Sequence, residues 1–122
     1  MSPDPFTPAP VKPIVPMAAL EALDIRLGTI EATADVAGSR KLVALTVSFG
    51  DHTRTIVAGL RLERPNHAEL VGRQALFVVN LEPRAMAGVQ SQGMLFDIGY
   101  ADGMTPALLV PERPLPPGTR AG

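Results

Sequence analysis

The chain contains no cysteine, which excludes disulfide scaffolds, zinc ribbons and thiol catalysis. Tryptophan is absent, aromatic residues make up only 4% of the total, and no apolar run is long enough for a transmembrane helix or a signal-peptide core. An excess of either charge is missing too: 11 Lys+Arg stand against 12 Asp+Glu, for a formal net charge of -1. No global field therefore draws the chain to nucleic acid or membrane, and binding to a polyanion needs a local patch. The acidic, proline-rich start MSPDPFTPAP matches no export signal. These absences predict a soluble, cytoplasmic protein with no membrane association.

What is present suits one domain: 122 residues, 46% of them hydrophobic. Proline divides the chain. Six of the 13 prolines fall in the first sixteen residues and five more between Pro106 and Pro117. Because each fixes φ and removes a donor, residues 1–16 are expected to be a flexible, extended arm. Residues 17–122 carry the fold. Met17 to Leu23 has strong helix formers and predicts about two helical turns. Strand signals follow at Ile25–Ala34, Lys41–Phe49, Thr53–Leu60, Gln74–Leu81, Met94–Tyr100 and Ala107–Val110. In the second, Val43, Leu45, Val47 and Phe49 share one face. Gly50-Asp51-His52 is turn chemistry, so the second and third strands form a hairpin. Gly28, inside the first, marks a bulge or bend. A short helix with Asn66 as N-cap is expected over Asn66–Val71. Gln74–Leu81 is apolar on both faces, which in so small a domain predicts a buried partner surface and hence a homodimer. No βαβ alternation appears. The reading is all-β: a five-stranded OB-fold barrel with short helices and extended N- and C-terminal arms.

Catalytic constellations are poor. His52 lies in a turn and His67 near a helix start, and each reads as a solvated loop residue. No His/carboxylate spacing fits a metal site. Gly88-Val89-Gln90-Ser91-Gln92-Gly93 has phosphate-loop glycine spacing, but Met94-Leu95 stands where Lys and Ser/Thr are required. The expectation is no catalytic residue, no metal and no cofactor. Nine of the eleven basic residues are arginine, suited to bidentate phosphate contacts and base stacking, although an Ala- and Arg-rich composition alone accounts for that. Between Asp24 and Gly93, eight basic residues face seven acidic ones. Phe49 and Phe77 read as core, leaving Phe96 and Tyr100 as stacking surfaces. Physical chemistry alone reaches a small β-barrel binding module.

A longer pattern narrows this. Asn80-Leu81-Glu82-Pro83-Arg84-Ala85-Met86-Ala87-Gly88-Val89-Gln90-Ser91-Gln92-Gly93-Met94 resembles the signature of the EMAP/Myf-type tRNA-binding domain. Leu23-Asp24-Ile25-Arg26-Leu27-Gly28-Thr29-Ile30 resembles that family's opening. Lys41-Leu42, Arg54-Thr55-Ile56-Val57-Ala58-Gly59-Leu60 and Leu70-Val71-Gly72-Arg73 match its intermediate landmarks in order. The resemblance implies an OB barrel related to the C-terminal domain of methionyl-tRNA synthetases and to CsaA-type export chaperones. It implies a non-catalytic protein that binds tRNA through phosphate contacts and shape, forms a homodimer and works beside an aminoacyl-tRNA synthetase. By position, Asn80, Ser91, Gln92, Met86 and Met94 would face the RNA, and Lys41, Arg54 and Arg84 would contact phosphates.

Two departures favour an alternative. Ala85 and Ala87 stand where the family has Lys and Arg, and Asp97 places a carboxylate nearby. Losing about two phosphate contacts weakens RNA binding by about tenfold or more, while Met86 and Met94 amid small side chains suit apolar peptides. The alternative is a CsaA-like chaperone whose partners are unfolded polypeptides.

Overall fold

The computed structural model describes residues 6–122, so the expectation for residues 1–5 of the arm lies outside them. Phe6 to Pro16 is exposed, without regular structure. A short helix α1 (Met17–Glu21) follows and buries none of its residues. Strands β1 (Ile25–Asp35), β2 (Val43–Ser48) and β3 (Thr53–Ala58) come next, then a 3-10 turn (His67–Leu70) and β4 (Gln74–Val78). β5 (Arg84–Met86) and β6 (Val89–Ser91) form a hairpin, β7 (Met94–Leu95) returns to the sheet, and β8 (Asp97–Ile98) pairs with β9 (Ala107–Leu108).

The main sheet is antiparallel, in the order β3-β2-β1-β4-β7. β1 is the strand that curls it. Its first half, Ile25–Thr29, pairs with β4 and its second half, from Thr29 on, pairs with β2. A bulge lies between Ile30 and Ala32, so Glu31 rather than Gly28 carries the irregularity. Gly28 serves close packing instead: a Cβ there would lie 2.4 Å from Val47 Cγ1 and 3.0 Å from Phe49 Cε1. Only a hydrogen fits where the barrel wall folds onto its core.

The period-2 pattern places the core as expected. Val43, Leu45 and Val47 point inward with Phe49, and they meet Ile30, Ile56, Ala75 and Phe77. Phe49 and Phe77 pack edge to face with centroids 5.8 Å apart, a favoured aromatic arrangement. The 3-10 turn plugs one end with the buried Leu70. The short helix expected here is this 3-10 turn, with Asn66 at its N-cap position but making no side-chain capping bond. β4 stops at Val78, and both Phe77 and Val78 are buried. The two-faced apolar pattern is thus partly satisfied within the chain. Met94–Tyr100 is not one strand but β7, β8 and a 3-10 turn (Tyr100–Asp102), broken where Gly99 takes φ 108.

The C-terminal segment is docked rather than free. Gly118 N–H donates to Leu27 C=O at 2.7 Å, Leu27 N–H to Thr119 C=O at 2.9 Å, and Ala121 N–H to Ile25 C=O at 2.8 Å. It fills the edge of β1 that β2 leaves unpaired, satisfying donors and acceptors that would otherwise face solvent as an open edge.

Candidate nucleic-acid interface

The barrel closes between β3 and the end of β6 through side-chain and backbone hydrogen bonds. The Ser91 hydroxyl accepts from Val57 N–H at 2.9 Å and donates to Gly93 C=O at 3.1 Å. Gln92 N–H donates to Thr55 C=O at 2.8 Å, and Gln92 Oε1 accepts from Thr55 N–H at 3.0 Å. Arg54 clamps the same seam: its Nη1 donates to Val79 C=O at 2.6 Å and to Gln92 C=O at 3.1 Å, and its Nε to His52 Nε2 at 3.1 Å. Ser91 is only 3% exposed. Three residues of the family landmarks, Arg54, Ser91 and Gln92, therefore spend polar groups holding the barrel shut. Asn80 is also engaged: its Oδ1 accepts from Asp24 N–H and its Nδ2 donates to Ala22 C=O, each at 2.8 Å.

The remaining candidates converge elsewhere. Lys41, Met86 and Met94 line one groove of about 490 Å³. Its floor is the end of β3 running into Leu60, and its walls include Leu42, Leu62 and Tyr100. Tyr100 is 71% exposed, an available ring face. The groove's charges are Lys41, Glu63 and Asp97, and Asp97 Oδ2 accepts from Tyr100 N–H at 3.1 Å, fixing the 3-10 turn that carries the ring. Arg84 lies two residues before Met86 on β5, on the same face of the strand, and is exposed. Among the described residues neither Lys41 nor Arg84 has a carboxylate within ion-pair distance. Sequence reasoning named Tyr100 but missed Leu42, Leu62 and Glu63. They sit in irregular segments, where no period marks a face.

A second, wider depression of about 1030 Å³ gathers Met17, Leu20, Leu23, Leu76 and Phe96 beside Asn80. At its edge Arg26 Nε meets Asp24 Oδ1 at 2.8 Å. That hydrogen bond, against the opposing effect of desolvation, holds the Asp24 carboxyl below its usual range.

His67 is not the solvated loop residue expected. Only 15% of its side chain is exposed, and its ring nitrogens lie 2.8 Å from Thr33 Oγ1 and 2.8 Å from Asp35 Oδ1. It pins the 3-10 turn to the end of β1. The His67 hydrogen bond, countered by desolvation and aided by the charge of Arg61, keeps Asp35 below the usual carboxylate range. Among the described residues no group of three His, Cys, Asp or Glu could hold a metal ion, and no helix is long and apolar enough to cross a membrane.

A five-stranded antiparallel barrel curled by one long bent strand, with an open groove on its wall, defines an OB-like binding module. The chain belongs to the tRNA-binding domain family: residues 25–120 match tRNA_bind, described as "Putative tRNA binding domain". It is 43% identical over 108 residues to methionine–tRNA ligase of Methanothrix thermoacetophila, covering 88% of this chain but 15% of that enzyme. Among solved structures it is similar to a MetRS related protein from Pyrococcus horikoshii, with a TM-score of 0.82 and 31% identity over 91% of this chain and 100% of that one. The chaperone CsaA from Bacillus anthracis str. Ames matches with a TM-score of 0.79 and 26% identity over 90% of this chain and 100% of that one. The chain spans about a sixth of the length of the curated ligases it matches.

Proposed function

We propose that this chain binds tRNA without catalysing a reaction, using the groove together with Lys41 and Arg84. The observation that carries the reading is the placement of Lys41 and Arg84, without acidic partners among the described residues, near a groove lined by exposed Met94 and Tyr100. Cations free of ion pairs release phosphate counterions at full value, and an open tyrosine face stacks on an unpaired base. The residues assigned to contact are Lys41, Arg84, Met86 and Met94. Arg54, Asn80, Ser91 and Gln92 shape and support that surface. The wide depression around Leu20, Leu76 and Phe96 is the surface through which two copies join as a homodimer, and two grooves per dimer raise affinity through two-point attachment. The tRNA so held is passed to an aminoacyl-tRNA synthetase in the cytoplasm, a role suggested by the kinship with methionine–tRNA ligases.

The test is a gel-shift titration of tRNA against an unrelated RNA across salt. Binding that falls as salt rises, with a slope reduced by about one in Arg84→Ala, supports the reading; absence of tRNA binding at low salt ends it. Light scattering reads the dimer, and a monomer at micromolar concentration overturns that part.

Glu63 and Asp97 in the groove favour a second reading, binding of unfolded polypeptides, because carboxylates oppose a polyanion and accept basic peptides. Peptide binding that holds or strengthens at high salt, where tRNA binding fades, identifies that alternative.

A further inference from the structure

The proline-rich arm has an order that its lack of regular structure hides. Pro10, Pro13 and Pro16 recur every three residues, as do Pro8, Val11 and Ile14, and as do Ala9, Lys12 and Val15. A polyproline II helix has three residues per turn, so these sets form three separate edges. Pro16 has φ -68 and ψ 155, the polyproline II conformation. Val11 is 99% exposed and Ile14 101%. Two branched apolar side chains thus stand wholly in water on a stiff segment, and none of the backbone hydrogen bonds ties residues 6–15 to the barrel. Burying them on a partner removes their apolar surface from water, and a preformed polyproline II segment loses little entropy on docking.

We propose that residues Pro8–Pro16 of one copy occupy the groove of a second copy, making the arm a built-in competitor for the ligand of that groove. The proposal deepens the functional reading and rests on the groove being the ligand site. Three complementarities select this surface. Tyr100 offers an exposed ring on which the proline edge stacks. Leu42, Leu62 and the two methionines receive Val11 and Ile14. Glu63 and Asp97 outnumber Lys41 in the groove, while Lys12, on the third edge, is the sole charge between Phe6 and Pro16. In the wider depression, by contrast, Glu21 and Asp24 are balanced by Arg26 and Arg120, so its side chains offer no net acidic surface. Length permits the contact. Nine residues of polyproline II extend about 28 Å, and a domain of this size, with a radius of gyration of about 13–14 Å, is about 35 Å across. An arm leaving one barrel beside α1 can therefore span most of the face of its neighbour.

The chain supplies its own probe, because Tyr100 is its only tyrosine and tryptophan is absent. Acrylamide quenching of tyrosine fluorescence in the full chain reads groove occupancy directly, with no added ligand. In the wild type, Tyr100 is expected to become more protected as protein concentration rises. The double variant Val11→Asp, Ile14→Asp leaves every proline and the barrel untouched and should remove that protection. Lys12→Glu should loosen the arm, and Glu63→Lys in the same chain should restore it. If the arm fills about nine-tenths of the grooves, the double variant binds tRNA about tenfold more tightly, since apparent affinity scales with the fraction of open sites. Quenching that is equal in wild type and double variant at all concentrations overturns the proposal. Loss of protection in the variant without any tRNA binding keeps the arm contact and removes only the tRNA reading. Protection independent of concentration places the arm on its own barrel and overturns the exchange between copies.

Discussion

Replacing Arg54 with alanine separates a phosphate contact from a structural clamp. The guanidinium donates to the carbonyl of the buried Val79 at 2.6 Å and to the exposed Gln92 carbonyl at 3.1 Å. A hydrogen bond from a charged donor is worth about 1.5–3 kcal/mol net, and a buried carbonyl left unpaired costs about 1–3 kcal/mol. The Val79 bond is part-buried and the Gln92 bond exposed, so the expected loss is about 2 kcal/mol rather than the sum of both. With a urea m-value of about 1–3 kcal/mol/M for a small protein, the unfolding midpoint should fall by about 1 M with m unchanged. Arg54→Lys keeps the charge but not the planar fork, and should lose about half as much stability. Where the variants remain folded, the salt slope of tRNA binding should match wild type. Arg84→Ala should do the reverse, with an unchanged midpoint and a slope reduced by about one. An Arg54→Ala protein of wild-type stability with a reduced salt slope would refute the clamp and return Arg54 to the phosphate contacts.

The other predictions concern the fold. Ser91→Ala strands the Val57 N–H, a buried donor whose acceptor is the Ser91 hydroxyl, and should cost about 1–3 kcal/mol in thermal or urea unfolding. Gly28→Ala drives a Cβ to 2.4 Å from the fully buried Val47, and overpacking of that kind should cost about 1–3 kcal/mol by the same assay. Ala87 holds φ 50 beside Gly88 at φ 82 in the β5–β6 turn, so Ala87→Gly should relieve about 1 kcal/mol of left-handed strain and raise the melting temperature. Asp24 and Asp35 have carboxyls lowered by hydrogen bonds to Arg26 and His67. Their contribution is therefore present above the unfolded carboxylate pKa of about 3.9, and is lost as pH falls through their lower folded values. An acid titration of stability should show that loss below about pH 4, and Asp24→Asn with Asp35→Asn should flatten it.

The barrel itself was legible in the chain because it rests on local pattern. Alternation in Val43–Phe49 put Val43, Leu45 and Val47 inside, and Gly50-Asp51-His52 joined two strands, since side-chain period and turn chemistry need no distant partner. The ordered landmarks from Leu23 to Met94 were enough to identify the family. The roles of the signature residues were not legible there. Arg54, Asn80, Ser91 and Gln92 are polar residues within the family landmarks, and from sequence a polar side chain aimed at ligand looks the same as one aimed at backbone. Only the closing of β3 against β6 and against the end of β4 brought Thr55, Val57 and Val79 within reach of Arg54, Ser91 and Gln92. His67 tells the same story, its partners Thr33 and Asp35 lying more than thirty residues away. The groove was hidden for a related reason: Lys41, Leu62, Met86 and Tyr100 come from four separate segments. Their meeting is set by the curl of one sheet and the path of irregular loops, a property of long-range packing that no local period encodes.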